Sequence, residues 1–163
     1  MNVHDALANL LAVFRKRAED SGLQLEFDCP DDIGTIVADE RRLRQAVYNL
    51  ITNAVQYTPE GGSVILTARR EPESLSIVVT DTGIGIAPED TDRMFEKFER
   101  GSNNDTRDPG VGLGLALVKN LIQLHGGAIT VNGGVGQGTR IECRLPLTAT
   151  LPENDGRWEK AAK

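Results

Sequence analysis

Aromatic side chains are scarce in this chain, at 4% of residues, and tryptophan occurs once, at Trp158. There is no basic excess either: 18 basic side chains face 24 acidic ones, a formal net charge of −6. A non-specific nucleic-acid surface, which needs cations to neutralise phosphates, is therefore not expected. No apolar run approaches the roughly 18 residues of a membrane span. The start, MNVHDALANLLAVFRKR, lacks the uninterrupted apolar core and cleavage pattern of a secretory leader. Cysteine is limited to Cys29 and Cys143, far apart and without metal-ligand spacing. They read as small buried hydrophobes in a reduced compartment, with one long-range disulfide left open. Internal repeats and low-complexity tracts are absent. What remains is a soluble, cytoplasmic chain of 163 residues, the size of one domain.

The patterning is that of a mixed α/β domain. Val3, Leu7, Leu10, Leu11, Phe14 and Ala18 follow helical spacing, and Gly22 ends the segment. This stripe either packs within its own domain or is the lower end of a longer helix. Leu23–Phe27 alternates apolar and polar residues as a half-buried strand, and a short strand is expected near Thr35–Ala38. Asp39 is placed to cap a helix over Glu40–Tyr57, which Pro59-Glu-Gly-Gly closes. Val64–Arg70 and Leu75–Thr80 form a hairpin, Ala87–Glu96 a short helix, and Leu113–Leu124 a longer one ended by His125-Gly126-Gly127. Ala128–Val131 and Arg140–Leu145 are the last strands. The fold class is α/β: a two-layer sandwich of about five strands in one mixed sheet, covered on one face by helices.

Three blocks carry chemistry. Asn49 and Asn53 lie four residues apart on one flank of the Glu40–Tyr57 helix, where asparagine is a poor helix former. They are either two solvated amides or oxygen ligands at a pocket edge, of the kind that suits Mg²⁺. Asp81-Thr82-Gly83-Ile84-Gly85-Ile86 follows a strand. It reads as an Asx turn, or as a carboxylate at a strand end beside glycines that admit a flat ring. An ionised Asp only accepts hydrogen bonds, so it selects a ligand with an exocyclic amine, such as adenine. Gly110-Val111-Gly112-Leu113-Gly114-Leu115 enters a helix and offers backbone N–H groups to an anion. It follows a polar loop and has no Lys-Ser/Thr pair, so it is neither a dinucleotide fingerprint nor a Walker loop.

Taken in order, DERRLRQAVYNLITNAVQYT (39–58), DTGIGI (81–86), FEKF (95–98), GVGLGLALVKNLIQLHGG (110–127) and GQGT (136–139) resemble a known set. They are similar to the N, G1, F and G2 boxes and final glycine turn of the ATP-binding catalytic domain of sensor histidine kinases. The resemblance covers about residues 22–146. That family shares its Bergerat-type sandwich with gyrase, the heat-shock-90 chaperones and mismatch-repair ATPases. It implies ATP and Mg²⁺ as ligands, bound between the helices and a lid over about residues 99–110. By the same resemblance, Asn53 holds Mg²⁺ and Asn49 supports the triphosphate. Asp81 receives the adenine amine with Thr139 beside it, and Gly83 and Gly85 shape the slot. Tyr57, Ile86, Val111, Leu113 and Leu115 line the site. Gly110, Gly112 and Gly114 let the lid close, while Phe95 and Phe98 pack its base.

Two residues depart from the family pattern or bear on its chemistry. Gln56 stands where many members carry Lys, a loss that Lys97, Arg100 or Arg107 would have to offset. Asn49 replaces the Glu that superfamily hydrolases use to activate water, and an amide is no general base. This favours transfer to a protein nucleophile over hydrolysis. No acceptor motif is present: His4 sits in VHDAL, and His125 belongs to the helix end. The implied partners are therefore a phosphoacceptor and dimerisation domain outside this chain, then a response regulator. On this reading residues 1–21 are the end of a dimerisation or linker helix, 22–147 the catalytic domain and 148–163 a flexible tail. The fragment itself is expected to be monomeric, its parent a homodimer and open to membrane anchoring. The rival readings are a nucleotide-sensing pseudokinase and, further off, a serine kinase of the anti-sigma-factor type.

Overall fold

A computed structural model describes residues 1–85, 111–133 and 136–147, the side chains of 111–114 excepted. The chain runs α1 (Val3–Asp20), β1 (Gln24–Asp28), α2 (Glu40–Tyr57), β2 (Ser63–Arg70) and β3 (Ser74–Asp81). It continues with α3 (Val111–Leu124), β4 (Ala128–Gly133) and β5 (Thr139–Pro146). The five strands form one sheet in the order β1-β2-β3-β5-β4. β1 pairs parallel with β2, and every other pairing is antiparallel. The expected mixed sheet under a helical layer is thus observed.

The alternation read in the strands is the alternation of burial. Val64, Leu66 and Ala68 of β2, Leu75, Ile77 and Val79 of β3, and Ile141, Cys143 and Leu145 of β5 point into the helical layer. They meet Leu43, Val47, Leu50 and Ile51 of α2 and Leu115, Val118 and Ile122 of α3. The other face is mixed: Ser76 donates to Glu142 across β3 and β5 at 2.7 Å, Arg144 faces Glu71 at 3.5 Å, and Val78, opposite Thr67 and Glu142 in the register, is buried there as well. Asp39 caps α2 as expected, its Oδ1 accepting the Arg42 N–H at 3.2 Å.

One expectation changes. The strand near Thr35–Ala38 reduces to bridge residues at Thr35 and Val37, the first paired with Asn2. Its remaining backbone groups are taken elsewhere: the Ile36 carbonyl accepts from the Met1 amine at 3.0 Å. The Val37 N–H donates to the Leu147 carbonyl at 3.2 Å. Helix α1 packs on the same core. Asn2 is extended and caps it, accepting the Asp5 N–H at 3.0 Å. Its stripe, Val3, Leu7, Leu10, Leu11, Phe14 and Ala18, is buried in the same cluster as α2 and the sheet.

Both cysteines are free. Cys143 is fully buried on β5, and desolvation pushes its thiol up to about 12. Cys29 is only half-buried, and burial raises its thiol less far.

If α1 is part of this core, Leu11→Ala should cost about 2–5 kcal/mol, as a buried leucine does. Urea unfolding measures it, and a loss within about 0.5 kcal/mol, the range of a surface change, would show α1 to be dispensable.

Candidate functional site

Four segments converge at one end of the sheet: the end of α2, the start of β2, the loop after β3 and the turn before β5. Thr82 fastens its loop to β2 twice, its N–H donating to the Ser63 carbonyl at 3.1 Å and its Oγ1 accepting the Ser63 N–H at 3.0 Å. The Ile84 N–H reaches the Tyr57 carbonyl at 3.4 Å, and the Gly136 N–H donates to the Ile84 carbonyl at 2.8 Å. Thr58, buried just past α2, donates its hydroxyl to the Ala54 carbonyl at 2.7 Å and closes that helix end.

Asp81 stands at the centre of this junction. It is the last residue of the middle strand, 9% exposed, and lies opposite Thr139 in the β3–β5 register. Its Oδ1 accepts the Gly83 N–H at 2.8 Å, and the Thr139 N–H also bonds the carboxylate. Burial raises the carboxyl's pKa above the usual range, and these two hydrogen bonds pull it back only in part. An ionised carboxylate has about four acceptor positions, so two remain for a ligand.

Glycine is required on both sides of this carboxylate. A Cβ at Gly83 would lie 2.6 Å from the Tyr57 carbonyl oxygen and 2.8 Å from Asp81 Oδ1. One at Gly138, where φ is +77°, would lie 2.1 Å from the Asp81 carbonyl oxygen.

Asn49 and Asn53 fall on the flank of α2 away from α1, both half-buried. Asn53 Oδ1 is a buried acceptor with no hydrogen-bond partner. Such an orphan costs about 1–3 kcal/mol unless something supplies a positive charge or donor. An amide oxygen left open in this way fits a hard cation such as Mg²⁺. Gln56 is exposed in the last turn of the same helix, and Tyr57 is also exposed. Leu115 is buried in the core from α3.

The sequence model of the histidine kinase-, DNA gyrase B- and HSP90-like ATPase family matches residues 38–149. This chain belongs to that family. Its relatives place it with the sensor histidine kinases. Histidine protein kinase DivJ of Caulobacter vibrioides is 38% identical over 146 residues, 90% of this chain but 24% of DivJ. The structure of the mycobacterial sensor histidine kinase MprB superposes with a TM-score of 0.76 at 30% identity, over 92% of this chain and 97% of that one. Full-length ShkA in complex with AMPPNP superposes with a TM-score of 0.80 at 35% identity, over 93% of this chain and 31% of ShkA. The chain thus spans about a quarter of DivJ and a third of ShkA.

In this kinase domain the structure joins Asp81, Gly83, Gly85, Thr139 and the Tyr57 backbone in one junction, with Asn53 one helical turn before Tyr57. Gly112 and Gly114 lie in the first turn of α3, which starts two residues earlier than expected. Ile86, Phe95, Lys97, Phe98, Arg100, Arg107, Gly110, the 87–96 helix, the lid, and the 148–163 tail lie outside the described residues, as do the side chains of Val111 and Leu113. Sequence reasoning passed over Thr58 and Thr82, whose only signal is their place beside the N-box helix and inside DTG.

His125 is settled as structural. It is fully buried, its Nδ1–H donates to the Leu121 carbonyl at 2.7 Å, and its Nε2 accepts the Asp39 N–H at 3.3 Å. The end of α3 is thereby tied to the cap of α2. Among the described residues, no helix is long and apolar enough to cross a membrane.

The raised Asp81 pKa carries a signed consequence. Its contribution is fully present below the unfolded carboxyl value, about 4, and is lost as pH rises through the higher folded value. The stability of Asp81→Asn relative to the parent should therefore increase from acid pH toward neutrality. Paired urea titrations across that window read it, and a relative stability that falls instead would contradict the desolvation assignment.

Proposed function

We propose that this domain binds Mg-ATP and donates its γ-phosphoryl to a histidine on a dimerisation domain outside this chain. The observation that carries the reading is the buried Asp81 carboxylate, which keeps acceptor capacity for a ligand between glycines against which the backbone packs too closely for any side chain. A desolvated acceptor flanked by close-approach glycines suits the amine edge of adenine.

The roles of the other residues follow. Asp81 accepts from the exocyclic amine, with Thr139 beside it. Gly83 and Gly85 leave room for the ring. Asn53 Oδ1 turns to the cation, and Asn49, on the same flank, supports the triphosphate. The bound Mg²⁺ would neutralise charge on the phosphates. No side chain here is asked to be a general base, because the acceptor imidazole is itself the nucleophile. The domain contributes positioning and charge neutralisation. His125 has both ring nitrogens engaged in the core, and His4 faces Asp31 at 3.1 Å, which leaves the acceptor to another domain. The wider reading is a cytoplasmic kinase module, monomeric as this fragment, whose phosphoryl passes on to a response regulator.

One observation favours a second reading. Gln56 places a neutral, exposed amide where many members carry an ammonium, which suits a module that closes on ATP without transferring phosphate. Addition of a dimerisation domain separates the two, since only the kinase yields acid-labile phosphohistidine.

Calorimetric titration with ATP should give saturable, Mg²⁺-dependent binding that Asp81→Asn abolishes. Undiminished affinity in that variant would overturn the adenine assignment. Asn53→Ala should lose the Mg²⁺-dependent part of the affinity while unfolding at the same or higher urea, because it removes an orphaned acceptor. Equal Mg²⁺ dependence in parent and variant would remove Asn53 from the metal's surroundings.

A further inference from the structure

A second concavity lies on the other side of α2 from Asn49 and Asn53. It is a groove of about 460 Å³ between α1 and α2, floored by Leu10 and walled by Glu40, Arg41, Arg44, Gln45 and Tyr48. Tyr48 is 41% exposed although its ring packs on Phe14 at 5.0 Å, and Val13 on the neighbouring helix is 63% exposed. An aromatic and an aliphatic side chain are thus left in water beside an apolar floor.

The cations there are also unpaired among the described residues. Arg15, Arg42, Arg69, Arg70, Arg140 and Arg144 each bond a carboxylate or a backbone carbonyl. Among the described residues the side chains of Arg41 and Arg44 make no such bond, in a protein with an acidic excess of six. They are three residues apart on α2, so their Cβ atoms are about 5–6 Å from each other.

The described chain leaves the fold at the head of this groove. Leu147 packs on the core and its carbonyl accepts from Val37, two residues before the α2 cap. The Val3 N–H donates to the Gly34 carbonyl at 3.1 Å, so both helices start at this end. Beyond Leu147 the sequence reads TATLPENDGRWEKAAK. Glu153 and Asp155, two apart, present carboxylates about 7 Å apart when extended, near the spacing of Arg41 and Arg44. Trp158 follows three residues later, and the basic residues Arg157, Lys160 and Lys163 come only around and after it, with Glu159. Eleven residues from Leu147 to Trp158 reach up to about 36 Å, against about 16 Å from Val37 to Tyr48 along a helix.

We propose that residues 148–163 dock back on the α1/α2 groove of the same chain, with Trp158 against Leu10 and Tyr48 and with Glu153 and Asp155 facing Arg44 and Arg41. This surface is independent of the nucleotide reading, because it lies on the opposite flank of α2.

Trp158 is the only tryptophan, so its fluorescence in the full chain reports the docking directly. In the folded parent, emission should be blue-shifted and protected from acrylamide compared with the urea-unfolded chain. Arg41→Glu combined with Arg44→Glu should shift the docked-to-free ratio by about ten-fold, as two lost ion pairs would. It should move emission toward the unfolded value while circular dichroism and ATP binding stay unchanged. Tyr48→Ser gives an independent second variant on the apolar side. Emission equal to that of the unfolded chain, or protection that neither variant disturbs, would overturn the proposal. Protection that appears only with rising protein concentration would overturn it too, and would assign the groove to the tail of a second copy.

Discussion

Holding one carboxylate out of water is the constraint around which this domain is arranged. Ionised Asp81 is disfavoured by its own burial, and the two backbone hydrogen bonds it receives do not restore what water would give. Such a group persists only where surrounding structure over-determines it. The middle strand of a five-stranded sheet does so: β2 fixes one side of Asp81 and β5 the other. The glycine positions then bring two loops and a helix end against it at distances that no side chain allows. The hydrophobic core supplies the rigidity, and on the proposed reading a ligand supplies the missing donors.

The helical layer answers to a related need. On the proposed reading two helices from separate parts of the chain serve one ligand, so their relative position must be set by something other than the ligand. His125 does this with neutral hydrogen bonds, one within α3 and one across to the backbone of Asp39. The same Asp39 caps α2 with its side chain. A single residue thus ends one long-range link and begins the helix that carries both asparagines. The pin lies at the C-terminal end of α3, at the opposite end of that helix from Gly112 and Gly114.

Much of the fold was legible because it is local. Alternation marked the strand over Leu23–Phe27, Asp39 marked the start of α2, and the four-residue spacing of Asn49 and Asn53 put them on one flank. Long-range competition decided what was misread. The run near Thr35–Ala38 has strand-like residues, but its backbone is shared among Met1, Asn2 and Leu147, none of which a window on that run contains. The stripe on α1 was plain, whereas the partner that buries it was not. The candidate site was legible as motifs, not as physics. Nothing in the order of letters says that Asn53 Oδ1 is left without a donor, or that Thr82 fastens the glycine loop to β2.

The two cysteines give the molecule a built-in clock for its own opening. Alkylation proceeds through the thiolate. At Cys143, buried on an interior strand with its thiol pushed up to about 12, the native state offers reagents almost none. Labelling there has to wait for the sheet to come apart, and its rate follows the global unfolding equilibrium. Cys29 sits just past the edge strand and is half-buried, so it is reached by fraying alone. Comparing the two thiols separates motion at the margin from loss of the core at residues the chain already carries, and a bound nucleotide that tightens the whole domain would slow the inner clock more than the outer one.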